Sequence, residues 1–93
     1  MTRVLIKILG AGGNMRWKRM VVKTKQTDLL GLLKSVKVEG EFLDDIVIRA
    51  GNVDFPFRYM ILLNNRNISS LWELGTKLKD SDILTVFQPI TGV

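Results

Sequence analysis

The sequence predicts a single α+β domain, a mixed sheet of four to five strands with one main helix packed across it. Three observations carry that prediction. Apolar and polar residues alternate with a period of two from Arg3 to Leu9 and again from Ile83 to Phe87, as in strands with one buried face. Leucines at Leu29, Leu30, Leu32 and Leu33, with Val36, recur at spacings of one, three and four, as on one face of a helix. The 93 residues allow one core, because a domain of this size buries only roughly 60 to 65% of its unfolded surface. Residues 1–93 are therefore read as one domain, with 88–93 as a flexible carboxyl-terminal tail.

Each element follows from local chemistry. The first strand, Arg3 to Leu9, places Val4, Ile6 and Ile8 on one face and Arg3, Leu5, Lys7 and Leu9 on the other. Gly10-Ala11-Gly12-Gly13-Asn14 interrupts it, and a second strand, Trp17 to Lys25, sets Met20 and Val22 opposite Arg19, Val21 and Lys23. The two are expected to form a hairpin. A glycine-rich loop that cradles phosphate needs a helix to follow it, and here a strand follows. Thr27 and Asp28 supply a helix N-cap and a first-turn acid. The helix is weakened slightly by Gly31 and fades near Lys37 to Gly40.

Phe42 to Arg49 fits a short helix or a strand equally, and Ala50 to Asp54 reads as a loop. Pro56 sits in an extended approach to Tyr59-Met60-Ile61-Leu62-Leu63, an apolar run of strand length that predicts a central position buried on at least one face. Asn64 to Asn67 is a turn. Leu71, Trp72, Leu74 and Leu78 suggest a short helical or 3₁₀ turn beneath the sheet, and Lys79 to Asp82 turns the chain into the last strand. Pro89 ends that strand because proline lacks the N–H for a ladder bond.

Composition excludes most chemistry. With 46% hydrophobic and 25% charged residues the chain has an ordinary globular balance. It contains no histidine and no cysteine, so disulfides, the usual zinc ligands, thiol nucleophiles and the side chain best suited to proton transfer at neutral pH are absent. No metal site is expected. The nearest carboxylate pairs, Asp44-Asp45 and Asp80-Ser81-Asp82, read as solvated turn acids rather than a catalytic pair. No apolar run approaches the roughly 18 to 20 residues that span a bilayer. Met1-Thr2-Arg3 leads straight into strand alternation and not into a signal-peptide core. A cytoplasmic protein with no membrane partner is expected.

The net charge of +5 is unevenly placed: residues 1–25 carry seven basic and no acidic side chains, and the other 68 residues carry seven basic and nine acidic ones, net −2. Arg3, Lys7, Arg19, Lys23 and Lys25 form the core of this basic surface, which suits an acidic partner. Arg16, Lys18 and Trp17 extend it towards a nucleic-acid reading, with Trp17 as a stacking group. A solvated basic sheet face is the plainer reading, and nucleic acid is not the expected partner.

The order of elements, together with Leu62-Leu63-Asn64-Asn65-Arg66-Asn67-Ile68, Leu71 to Leu78, and Lys79-Asp80-Ser81-Asp82 leading into Ile83-Leu84-Thr85-Val86-Phe87-Gln88-Pro89, resembles the ubiquitin-like β-grasp sulfur carriers. In the molybdopterin synthase small subunit and ThiS-type carriers an apolar strand ends in a Val-Asn-Gly-like turn. A Leu-x-Asp-Gly-Asp-like turn precedes a last strand that runs into Phe-Pro-Pro-Val-Ala-Gly-Gly. Gly10 to Asn14 with Trp17, and Ser70 to Leu78, are closer to the ubiquitin-related modifier branch.

The resemblance implies a protein that is no enzyme and binds no cofactor itself. An adenylating enzyme of the ubiquitin-activating type would use ATP on the carrier's terminal carboxylate, and sulfur would replace AMP. The thiocarboxylate would pass to a sulfur-accepting protein or RNA-modifying enzyme, as in molybdopterin biosynthesis or tRNA thiolation. In some members the activated end joins a protein lysine instead. Carried onto this chain, the carrier terminus is Gly92 and Val93, and Phe87, Pro89, Ile90 and Thr91 form the partner-binding tail. Gln88 replaces the first proline of the pattern, and Val93 stands where the final glycine belongs, where a narrow channel leaves little room for Cβ. Three outcomes are open: Val93 is removed, a partner accommodates it, or the chain is a noncovalent β-grasp interaction module that has lost the carrier chemistry.

Overall fold

The computed structural model describes residues 1–9, 17–48 and 57–87. Among these residues, seven strands and two α-helices run in the order β1 (Thr2–Leu9), β2 (Trp17–Thr24), α1 (Leu29–Ser35), β3 (Lys37–Val38), β4 (Glu41–Phe42), α2 (Leu43–Val47), β5 (Met60–Leu63), β6 (Arg66–Ile68) and β7 (Asp82–Phe87), with a 3₁₀ helix at Leu71–Gly75 between β6 and β7. Five strands form one sheet in the order β2-β1-β7-β5-β6. β1 and β2 are antiparallel, β1 and β7 parallel, and β5 is antiparallel to both β7 and β6. First and last strands side by side in a mixed sheet, with one main helix on one face, is the ubiquitin-like β-grasp.

The expected hairpin is present: Leu9 pairs with Trp17 and Thr2 with Thr24. Val4, Ile6 and Ile8 of β1, Leu84 and Val86 of β7, and Ile61 and Leu63 of β5 are buried on the inner face. There they join Leu29, Leu32, Leu33 and Val36 from the helix segment, and Val38, Leu43, Val47, Ile68 and Leu74 close the core. The alternation read from the sequence thus describes the sheet directly, with one face committed to α1 and the other left towards solvent.

The helix begins one residue later than expected. Asp28 is the N-cap, in extended conformation, and its carboxylate accepts the Gly31 N–H at 2.8 Å. Thr27 is held outside the helix because its carbonyl accepts the Leu78 N–H at 2.9 Å, while the Leu29 N–H donates to the Thr76 carbonyl at 3.0 Å. That two-residue bridge, centred on Asp28 and Lys77, ties the helix start to the segment before β7. The helix ends at Ser35, earlier than its expected fade. Glu39 and Gly40, at φ of 52° and 86°, turn the chain between β3 and β4, the left-handed pair that a two-residue hairpin loop requires.

Of the segment Phe42 to Arg49, the described part, Phe42 to Ile48, holds both alternatives in succession, since Phe42 ends strand β4, which closes the small hairpin, and helix α2 follows at once. The turn after β5 is shorter than expected. Asn64 and Asn65 both adopt positive φ, 53° and 68°, and reverse the chain in two residues, so Arg66 and Asn67 belong to edge strand β6. β5 lies inside the sheet with one face buried, and the central strand is β7.

Asp82 corrects the reading of solvated turn acids. Its side chain is buried, accepting Asn64 Nδ2–H at 2.8 Å through Oδ1 and the Lys79 N–H at 2.7 Å through Oδ2. Asn64 in turn accepts the Ile83 N–H at 2.8 Å. Asp80 is exposed and accepts the Arg3 N–H at 2.9 Å. In the same turn Ser81 takes φ of 70°, in the place where the sulfur-carrier pattern has glycine. Ser81→Gly should therefore stabilise the fold by about 0.5 to 1 kcal/mol, the left-handed cost of about 1 to 2 kcal/mol being partly offset by glycine's larger unfolded entropy. A Tm raised by a few degrees in a thermal melt is the expected reading, and an unchanged or lower Tm contradicts it.

Candidate functional site

β7 is where the fold and the candidate carrier terminus meet. It is flanked by β1 and β5, and its last residue, Phe87, pairs with Leu9 on one side and Met60 on the other. Phe87 thus ends the central strand, which is also the last described one. Phe87 is half-buried and outside the core cluster; strand alternation sets it with Ile83 and Thr85 on the outer face, opposite Leu84 and Val86. Pro89, Ile90, Thr91, Gly92 and Val93 lie outside the described residues, as do the expected tail flexibility, the glycine-rich segment 10–16 and the loop and proline of 49–56.

The basic surface is assembled by the β1–β2 register. Arg3 is directly opposite Lys23, and Lys7 directly opposite Arg19. Like charges so placed on one face cost of the order of 0.2 to 1 kcal/mol per pair. Lys25 lies past the end of β2, lining a shallow cleft with Met1, Thr2, Gln26 and Lys77. Lys18 does not join the basic face: it is on the inner side of β2 and pairs with Glu39. Trp17 is 49% exposed at the near end of β2. It lines a second shallow cavity, of about 270 Å³, with Lys7, Arg19, Leu62, Asn65 and Thr85.

No acid among the described residues has the surroundings of a catalytic carboxylate. Asp44 and Asp45 stand in the first turn of α2, where they favour the helix dipole. Glu73 is buried and structural. Burial alone would raise its pKa, but N–H groups of Ser69 and Ser70 and the Arg66 guanidinium outweigh that and hold it below its ordinary 4.5. The Ser69 and Ser70 N–H donate to Glu73 Oε1 at 3.3 and 3.2 Å, and Arg66 Nη2 lies 3.5 Å from Oε2. Ser70-x-x-Glu73 is the capping signature that could have announced this role.

Fixing Glu73 inward also explains a second correction. Leu74 packs into the core as expected, but the turn presents Leu71 and Trp72 outward, Trp72 at 77% exposure. Because the Glu73 pKa is lowered on folding, its contribution is present above about pH 4.5 and lost as pH falls through the lowered folded value. Glu73→Gln should remove that part of the acid destabilisation, which thermal melts between neutral and acidic pH measure directly.

The described residues contain no group of three acid, histidine or cysteine side chains placed to hold a metal. No helix among them is long and apolar enough to cross a membrane. Among the described residues, what the arrangement offers is a sheet whose central strand ends at Phe87 and an outer face that carries the basic side chains.

Comparison with known proteins agrees with this geometry at the level of fold. No protein-family model matches the chain and no curated protein matches it. Among solved structures, the chain is similar to a protein from Pyrococcus furiosus described as molybdopterin converting factor subunit 1, with a TM-score of 0.61 and 21% identity over 97% of this chain and 100% of the other. It is also similar to the HVO 2177 protein of Haloferax volcanii, with a TM-score of 0.61 and 22% identity over 99% of this chain and 87% of the other.

Proposed function

We propose that the chain is a sulfur carrier or ubiquitin-like modifier, a protein acted on by enzymes rather than an enzyme. The observation that most supports this reading is the place of β7, the last described strand, at the centre of a β-grasp sheet, in a fold shared with a protein described as a molybdopterin converting factor subunit. Six residues follow Phe87, a length that spans on the order of 20 Å when extended. That reach brings a terminal carboxylate into an enzyme's active site while the sheet docks outside it.

The chemistry proposed needs no side chain of the carrier, in keeping with a sequence without cysteine or histidine. A carboxylate oxygen attacks the α-phosphorus of ATP on a partner of the ubiquitin-activating type, releasing pyrophosphate. Sulfide from a sulfur donor then displaces AMP from the acyl carbon, leaving a thiocarboxylate for a sulfur-accepting protein or RNA-modifying enzyme. A cytoplasmic setting goes with this reading. Phe87, Pro89, Ile90 and Thr91 are the tail residues proposed to line the activating enzyme's channel.

Intact-mass measurement after incubation with ATP, an activating enzyme and a sulfide donor tests the reading on two proteins, the chain as it stands and the form lacking Val93. Valine's branched Cβ should make the shorter form, ending at Gly92, the better substrate. A mass shift of one sulfur-for-oxygen exchange in either form supports carrier chemistry. If neither gains sulfur nor forms an adenylate, the noncovalent interaction module stands instead.

A further inference from the structure

We propose that the outer face of β1, β2 and β7 is a docking surface for an acidic protein segment in which carboxylates and apolar side chains alternate. This does not depend on any reaction at the carboxyl terminus. It rests on how the register orders the face into rows. Arg3 and Lys23 form a cationic row, Leu5 and Val21 with Ile83 an apolar row, Lys7 and Arg19 a second cationic row, and Leu9 and Trp17 with Phe87 a second apolar row. Successive rows are two residues apart along the strands, a step of about 7 Å. An extended segment presents alternate side chains at that same step.

Among the described residues the cationic rows have no ion-pair partner, and the apolar rows stay partly exposed. Among the described residues the ion pairs are Lys18 with Glu39 and Arg66 with Glu73, and none engages Arg3, Lys7, Arg19 or Lys23. The strand residues of this face include no acid; Asp80, at its margin, accepts the backbone N–H of Arg3. The like-charged cross-strand pairs oppose folding. Between them Val21 is 63% and Ile83 38% exposed, with Trp17 at 49%. An acidic partner removes both costs together, supplying carboxylates to the cationic rows and covering the apolar ones. The cavity formed by Lys7, Trp17, Arg19, Leu62, Asn65 and Thr85 offers a carboxylate two cations and a hydroxyl.

The apolar rows also decide between partners. Nucleic acid would suit the cations, but binding a single strand relies on aromatic faces beneath successive bases. Between the two cationic rows the exposed groups are Val21 and Ile83, which have no π-face. A protein segment uses every row.

The test is a titration of isotopically labelled full-length protein, followed by amide chemical shifts. The probe is a synthetic peptide with glutamate and leucine alternating on one face and threonine on the other. A scrambled peptide of the same composition and a thymidine dodecamer serve as comparisons. Shifts confined to β1, β2 and β7, with an affinity at least about tenfold above that of the scrambled peptide, are expected.

The double variant Arg19→Glu with Lys23→Glu should lose at least about tenfold in affinity. It should keep or raise its Tm, because each reversal turns a like-charged pair with Lys7 or Arg3 into an opposite one. Equal binding of the scrambled peptide, absence of shifts, tighter binding of the dodecamer, or unaltered affinity in the double variant overturns the proposal.

Discussion

Asp82→Ala is expected to lower stability by about 2 to 4 kcal/mol, because it strips a buried carboxylate from two donors at once. The Lys79 N–H and the Asn64 amide each lose an acceptor at 2.7 and 2.8 Å. Asn64 then loses the anchor that aims its own oxygen at the Ile83 N–H. One side chain thus fixes the turn before β7, the turn after β5 and the register between them. For a domain of 93 residues the total stability is of the order of 5 to 14 kcal/mol, so the loss is a large fraction of it. Urea unfolding should show a lower midpoint with an unchanged slope. Asp82→Asn separates charge from volume: it retains one oxygen for Asn64 but turns an NH₂ group towards the Lys79 N–H, and should fall between parent and alanine. A midpoint for Asp82→Ala within error of the parent would show that water replaces the carboxylate at no cost.

The same turn shows what the sequence could and could not disclose. Period-two alternation located β1, β2 and β7 and the face each buries, because a strand's two faces are set by backbone geometry and burial follows. The basic face was equally legible, since Arg3, Lys7, Arg19 and Lys23 alternate with the core residues of their strands. Their cross-strand pairing was not, because register is settled by where the hairpin turns. Asp82 was misread because its partners Asn64 and Lys79 come from two different turns, and no local pattern joins them. Leu71 and Trp72 were misplaced for a related reason: the Glu73 carboxylate competes for the inside of the 3₁₀ turn through backbone N–H groups, and a hydrophobicity pattern does not register that competition. The helix start moved by one residue when tertiary pairing of Thr27 with Leu78 claimed a backbone carbonyl.

Leu84→Ala should have the largest effect on the fold, a loss of about 2 to 5 kcal/mol. Leu84 is fully buried at the middle of the central strand, with Ile6 of β1 and Leu63 of β5 as its lateral neighbours. Neighbouring inner-face side chains on three strands would have to move together to fill the space. Collapse of the cavity is therefore restricted, which places the expected loss towards the upper part of the range. The adjacent residue supplies the control. Ile83 is 38% exposed on the outer face, and Ile83→Ala should cost no more than about 1 kcal/mol. Two substitutions one position apart in one strand thus test the facing of β7, and similar losses at both would show that the outer face is packed. The consequence reaches the candidate carrier terminus. β7 holds Phe87 between Leu9 and Met60, so a weakened strand should exchange its amide protons faster up to Phe87. If residues 88–93 work by projecting from a rigid sheet, Leu84→Ala should slow modification of the chain end at temperatures where the protein is still folded. Ile83→Ala leaves that rigidity intact, so any effect it has on partner binding comes from the outer face alone.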